Sequence, residues 1–529
     1  MADQAPAPGS YDAHVRSNPE GLALVDDEYR LTWDDWEDHA CRLGTFLRDR
    51  FGLQEGDRVA WMLYNRAEFY ILSYALQKIG CMGVPVGYRL TGPEAAYIAD
   101  NSDAKAFICQ DVFAERLAGS LAEMPRMSED RFVVVGNDVE WRGHLPKPLS
   151  FQEALDQGSG ERFLSLGSAT GGSIIYTSGT TGRPKGAFRD PGDASMRAEI
   201  TKLMIGIVGA FGYSPPDRHM LTCPLYHSAP PVFGLIAHLL GGTVIIQRRF
   251  DPEETLRRIQ DEQITSAFVV PTMLNRLCAL PDEVVARYDL SSMQRLIVGA
   301  APFPDSLKRK TVELFPNPCV YEFYGATETG INTIIGPDDI LRKPGSCGTV
   351  AAGNELRIVD DEGKQVPTGE IGTLYVKSPV LISGYYKNKQ ATDECIEDGF
   401  FSVGDMARLD DEGFLYIVDR KKDMIISGGV NIYPAEIEVE LRTHPSVYDC
   451  AVIGVPNDDW GEEVKAIVHL KEGAPADTDA IQEYLAERLA DYKLPRSIDF
   501  VEELPYNPSG KVLKKDLRQR YWEGAGRSI

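Results

Sequence analysis

The chain holds no CxxC pair and no even set of cysteines. Its nine cysteines stand singly at positions 41, 81, 109, 223, 278, 319, 347, 395 and 450. That scatter argues against a disulfide framework or a zinc site and for a reducing compartment, the cytoplasm. Cations are in deficit: 55 lysines and arginines face 79 acidic residues, a net charge of −24 spread along 529 residues. A duplex nucleic-acid partner is therefore disfavoured, because affinity for phosphate backbones rests on clustered cations. No apolar run reaches the roughly 20 residues that cross a bilayer, so no integral membrane segment is expected. The longest, Pro231 to Ile246, contains His238 and several glycines and reads as a buried helix running into a strand. The opening MADQAPAPGSYDAHV lacks a basic n-region and an apolar h-region, and the closing Arg-Ser-Ile is not the usual peroxisomal tripeptide. Neither GxxxxGK[ST] nor GxGxxG occurs, which disfavours a P-loop kinase or a dinucleotide enzyme.

What is present is an α/β texture. At about 150 residues per domain, the length implies three or four domains or subdomains. From about residue 57 to 325, short β-branched runs alternate with helical spacing, the pattern of layered, largely parallel α/β structure. DRVAWMLY (57–64), FVVVG, SIIY, TVIIQ, SAFVV and RLIVG read as strands, and 67–80 as a helix with Phe69, Leu72, Leu76 and Ile79 on one face. After about 350, short strands alternate with turns such as Asp360-Asp361-Glu362-Gly363, a small antiparallel subdomain. A separate α+β domain follows. We place the large domain at 1–421 and the smaller one at 422–529. Within the latter, PAEIEVELRTHP is ambiguous, since Ile437, Val439 and Leu441 alternate as in a strand, but Pro434 at a first-turn position favours a helix.

The strongest local feature is SIIYTSGTTGRPKG (173–186), a strand running into a loop of glycines, hydroxyls and Lys185. Backbone N–H groups, hydroxyls and one cation suit a polyphosphate. It is not a Walker A loop, since Pro184 stands where that pattern needs glycine. The order TSGTTGxPKG resembles the signature of the adenylate-forming superfamily, which includes acyl-CoA synthetases, luciferases and peptide-synthetase adenylation domains. The resemblance implies nucleotide contacts from Thr177, Ser178, Gly179, Thr180, Thr181, Gly182 and Lys185.

The rest of the chain follows the same family order. YEFYGATETG (321–330) resembles the adenine and magnesium motif, which implies that Tyr324 stacks on adenine beside Gly325, Thr327 contacts the α-phosphate and Glu328 supplies a carboxylate to Mg²⁺. A hard cation takes oxygen ligands and neutralises the leaving pyrophosphate. In FSVGDMARLDDEGFLYIVDRKKD (401–423), Asp405 and Arg420 resemble the ribose-binding pair. Val403 replaces the usual Thr, and Asp419 the usual Gly before the arginine. Lys422 falls where the family pivots its C-terminal domain. Ser427, Gly428 and Gly429 match the loop that lines the pantetheine tunnel after the domain has turned. In NPSGKVLKKDLR (507–518), Lys511 resembles the lysine that bridges carboxylate and α-phosphate. Each residue alone also has a plain reading as a cap, a turn or a solvated charge.

The acyl pocket is expected among 224–234, 269–274 and 298–304. His227 reads either as a substrate neighbour or as a satisfied core histidine. No acidic residue occurs from Pro224 to Gly234, where amino-acid-activating relatives place an Asp. Small Ser228, Ala229, Gly299, Ala300 and Ala301 leave room for a medium, long or bulky apolar acid. The expectation is an AMP-forming acyl-CoA ligase using ATP, CoA and Mg²⁺ on a hydrophobic carboxylic acid. Transfer to a carrier-protein thiol or an amine, and a non-catalytic nucleotide binder, stay open, as does a homodimer.

Overall fold

In the computed structural model, residues 10–136, 140–165, 172–177, 184–190, 194–428, 430–457, 460–506 and 512–523 are described, without the side chains of 140, 194, 195 and 197. Two large sheets form the N-terminal body. One is wholly parallel, in the order Met82–Pro85, Arg58–Met62, Ala104–Gln110, Phe132–Val135, Leu149–Ser150. The other has nine strands. Its parallel centre runs Val320–Ala326, Arg295–Val298, Ser266–Val269, Arg218–Leu221, Thr243–Ile246, Leu22–Val25, with antiparallel strands at both edges. The central strands are buried almost throughout, as β-branched runs covered on both faces must be.

The apolar stretch from Pro231 resolves into the helix Ala229–Leu239 and the strand Thr243–Ile246. The helix Ala67–Lys78 forms where expected but is buried nearly all round, not on one face. The helix Trp33–Asp49 packs on it, and Lys78, fully buried, is paired with Glu37 at 2.8 Å and Asp12 at 3.1 Å. A charged residue hidden in this way is invisible to hydrophobic periodicity.

Beyond the nine-stranded sheet lie a three-stranded sheet of Ile174–Thr177, Lys185–Phe188 and Gly384–Tyr385, and an antiparallel sheet built from Glu355–Val359, Gly372–Lys377, Asp405–Leu409 and Leu415–Arg420. The smaller C-terminal domain is centred on the long hairpin Val447–Asn457 and Gly461–Leu470, with Ser497–Val501 added in parallel. The segment 434–443 is the helix Pro434–Thr443. Ile437 and Leu441 are buried while Val439 is 42% exposed, an i, i+4 pattern that a strand could not give. Among the described residues no helix is long and apolar enough to cross a membrane.

Candidate functional site

Parallel strands deliver the site. The segments 222–228, 270–273, 299–303 and 324–328 leave or end the strands of the nine-stranded sheet at their carboxyl ends, where open α/β sheets form a crevice. A continuous cleft of about 4230 Å³ runs along these ends and on between the two domains.

The hairpin Ile174–Thr177/Lys185–Phe188 flanks the expected phosphate loop, whose Ser178, Gly179, Thr180, Thr181 and Gly182 lie outside the described residues. Its two posts are placed: Thr177 pairs with Lys185 across the ladder. Thr177 donates from Oγ1 to Glu328 Oε1 at 3.3 Å, and the Tyr385 hydroxyl donates to the same oxygen at 3.0 Å. Lys185 Nζ sits 5.3 Å from the Tyr385 ring centre. The loop posts, Glu328 and the strand Gly384–Tyr385 thus form one cluster. Glu328 is 8% exposed and lines the cleft, and its Oε2 is left over by these two bonds. Among the described residues no group of three His, Cys, Asp or Glu could hold a metal by itself. One carboxylate with hydroxyls around it fits Mg²⁺ bound chiefly through phosphates and water, the usual mode for that ion.

The two residues expected to hold the ribose are also brought together. Asp405 and Arg420 are cross-strand partners, and Arg420 Nε lies 3.0 Å from Asp405 Oδ1. The Tyr324 hydroxyl donates to Asp405 Oδ2 at 2.6 Å. Burial and this carboxylate hold the tyrosine hydroxyl protonated far above its ordinary range. Burial disfavours the charge on Arg420, but Asp405 and its neighbours outweigh it and keep the guanidinium firmly protonated. Both carboxylate oxygens keep a lone pair for a diol, while ring and carboxylate are set at a fixed spacing.

Thr327, expected at the nucleotide, meets Ser228, expected at the acyl pocket: its Oγ1 is 3.0 Å from Ser228 Oγ. Around that junction the cleft is lined by Leu203, Met204, Val232, Phe268, Met273 and Ile331, and Ala300 and Ala301 line it too. His227 lines the cleft as well, its ring 4.3 Å from that of Tyr226. Ala300 has φ +69°, an unusual conformation for a non-glycine residue, where strained backbone often marks a functional turn. Gly299 is a correction. It is buried rather than cleft-lining, and a Cβ there would meet the Phe323 ring at 2.6 Å. Its smallness admits the Phe323 ring.

Arg189 was missed by sequence reasoning. It lines the cleft with its Nε donating to the Val380 carbonyl at 2.6 Å and an Nη to the Thr327 carbonyl at 2.5 Å. Burial lowers its pKa to about 10, against the pull of Glu328. The clamp holds the Thr327–Glu328 turn onto the loop before Gly384–Tyr385. Its only sequence signal is an arginine directly after the strand Lys185–Phe188.

In the C-terminal domain, Ser427 pairs with Val430 at a hairpin tip, and Gly428 has φ +57° with open space where a side chain would stand. Here the left-handed backbone alone calls for glycine. Gly429 and Lys511 lie outside the described residues. Tyr506 and Val512, which flank 507–511, line the cleft, as does Lys422, while Ser427 and Gly428 do not.

The chain matches the AMP-binding enzyme family over residues 11–386 and the AMP-binding enzyme C-terminal domain over 436–511. It belongs to the AMP-binding enzyme family. A feruloyl-CoA synthase of an Amycolatopsis species is 34% identical over 510 residues, 96% of this chain and 97% of that one. A long-chain-fatty-acid–CoA ligase of Mycobacterium tuberculosis is 34% identical over 501 residues, 93% and 94% of the two chains. The crystal structure of ATP-bound MatB from Rhodopseudomonas palustris superposes with a TM-score of 0.84 at 29% identity, covering 98% of this enzyme and all of the other.

Proposed function

We propose that the protein is an AMP-forming acyl-CoA ligase acting on a hydrophobic carboxylic acid. In the first half-reaction the acid's carboxylate oxygen attacks the α-phosphorus of ATP, forming acyl-AMP and releasing pyrophosphate. In the second the CoA thiol, losing its proton, attacks the acyl carbonyl and AMP leaves. Splitting the reaction turns a poor electrophile into a reactive mixed anhydride.

The observation that supports this most is the Ser228–Thr327 contact, which joins an apolar part of the cleft to the cluster we assign to the phosphates. There the acid's carboxylate, entering from the apolar side, faces the α-phosphate on the Thr327 side. We assign the phosphates to the loop 178–182, Thr177 and Lys185, the ribose to Asp405 and Arg420, and adenine to the face of Tyr324. Glu328 would hold Mg²⁺, which when bound neutralises phosphate charge. Thr177 and Tyr385 orient the Glu328 carboxylate, and Arg189 keeps the turn that carries it in place. Lys511 is assigned to the transition state of adenylation, where an ammonium counters charge accumulating between carboxylate and phosphate. Lys422 is assigned as the hinge between the domains, and Ser427, Gly428 and Gly429 as the pantetheine loop of the second pose.

The test is a panel of carboxylic acids assayed for pyrophosphate release with and without CoA, read by mass spectrometry. Acyl-AMP without CoA and acyl-CoA with it are the expected products, with apolar acids preferred over amino acids. Acyl-AMP that CoA never consumes would move the acceptor to a carrier thiol or an amine.

A further inference from the structure

We propose that Asp419 is a positioning residue for adenylation: it caps a helix of the C-terminal domain from the large domain, and so latches the small domain over the cleft. The inference rests on the ligase reading above and on its hinge at Lys422.

The register makes Asp419 part of the body. It pairs with Met406 one step from the Asp405–Arg420 pair, inside the antiparallel sheet. Because successive strand residues point to opposite faces, Arg420 turns to Asp405 and the cleft while Asp419 turns to the other domain. There it meets the start of the helix Pro434–Thr443. That helix has no cap of its own: Tyr433 makes no side-chain cap bond, and Pro434 has no N–H. Asp419 Oδ2 accepts the Ala435 N–H at 2.8 Å, and Oδ1 accepts the Arg420 N–H at 2.7 Å. One carboxylate thereby joins the ribose-binding arginine to the small domain.

A second contact extends the latch to the closing segment. Lys514 opens the helix Lys514–Trp522, just after 507–511. Its Nζ is 2.7 Å from Glu438 Oε1, and it is attracted to Asp419 and Asp423. On the same helix Arg518 donates to the Lys422 carbonyl at 2.8 Å and to Asp423 at 2.5 Å. Asp419 is only 8% exposed, and burial raises its pKa; Lys514 and the Ala435 N–H, both beyond the hinge, and the Arg420 N–H on its own strand act against that. A turn about Lys422 separates Asp419, held in the sheet, from Ala435 and Lys514. The Asp419 contacts therefore bias the enzyme toward the pose in which Tyr506 and Val512 line the cleft.

The experiment uses full-length Asp419→Ala and Asp419→Asn beside the wild type. The two half-reactions are measured separately, as single-turnover pyrophosphate release and as acyl-CoA formation from presynthesised acyl-AMP. Trypsin cleavage at 420–422 is followed in parallel. A lost cap shifts an equilibrium by about 3- to 30-fold. Asp419→Ala should slow adenylation by about that factor, leave thioester formation unchanged or faster, and speed hinge cleavage. Asp419→Asn keeps an acceptor for the Ala435 N–H and should recover part of the adenylation rate. Equal loss of both half-reactions in a folded Asp419→Ala, or no change in either with unchanged cleavage, would overturn the latch. A wild type that adenylates no acid would instead sink the ligase reading, and the cleavage rates would still decide whether the latch exists.

Discussion

Glu328→Gln separates metal binding from folding at one atom. The hydrogen bonds from Thr177 and Tyr385 both arrive at Glu328 Oε1, and a glutamine carbonyl oxygen can still accept them. Exchanging a charged for a neutral acceptor weakens each bond by about 0.5–1 kcal/mol, and the lower cost of burying a neutral amide offsets part of that. The variant should fold with a stability within about 1 kcal/mol of the wild type. What it loses is the anionic Oε2, replaced by an NH₂ that cannot bind a cation. A lost charged contact at a phosphoryl-transfer centre costs about 2–4 kcal/mol, or some 30- to 1000-fold in rate. Pyrophosphate release across a Mg²⁺ titration should therefore show a lower maximum and a midpoint moved to higher Mg²⁺. Acyl-CoA formation from supplied acyl-AMP involves no polyphosphate and should fall less than threefold. A folded variant with wild-type kcat and an unmoved Mg²⁺ midpoint would refute Glu328 as the metal ligand.

Lys511→Ala should abolish acyl-AMP formation yet still convert supplied acyl-AMP to acyl-CoA. Equal loss of both half-reactions in the folded variant would leave Lys511 a structural residue. Lys422→Pro, by fixing φ near −65° at the hinge, should retain at most one half-reaction, and full turnover by this variant would move the pivot elsewhere. Ala301→Leu should shift preference toward shorter acids, with a clash of about 1–3 kcal/mol measured as a changed kcat/KM ranking. Gly299→Ala should instead lower stability through Phe323 by a similar amount in denaturant unfolding; an unshifted midpoint would show that the ring moves freely. His219 and His238 are both fully buried, and burial lowers each pKa to about 3. The unfolded chain takes up these protons near pH 6.5 and the native state does not, so their contribution is intact above pH 6.5 and is lost as pH falls toward 3. The slope should approach about 1.4 kcal/mol per pH unit for each histidine, and a flat stability profile from pH 6.5 to 4.5 would contradict their burial as neutral groups.

The order of motifs along the chain was enough to predict the family and the α/β layering and to nominate the candidate site, because phosphate-loop signatures, ribose-type carboxylates and buried strands each depend on a few residues close together in sequence. Short-range chemistry of that kind is written locally. Long-range pairing is not. That Gly299 serves Phe323, that Arg189 clamps two loops by their carbonyls, and that Lys78 is buried against Glu37 and Asp12 all depend on segments brought together only by the fold. The ambiguous segment 434–443 shows the boundary most clearly. Its alternating Ile437, Val439 and Leu441 fit either a strand or a helix locally. The choice followed from which side chains found a core, and from a carboxylate on the other domain that caps the helix.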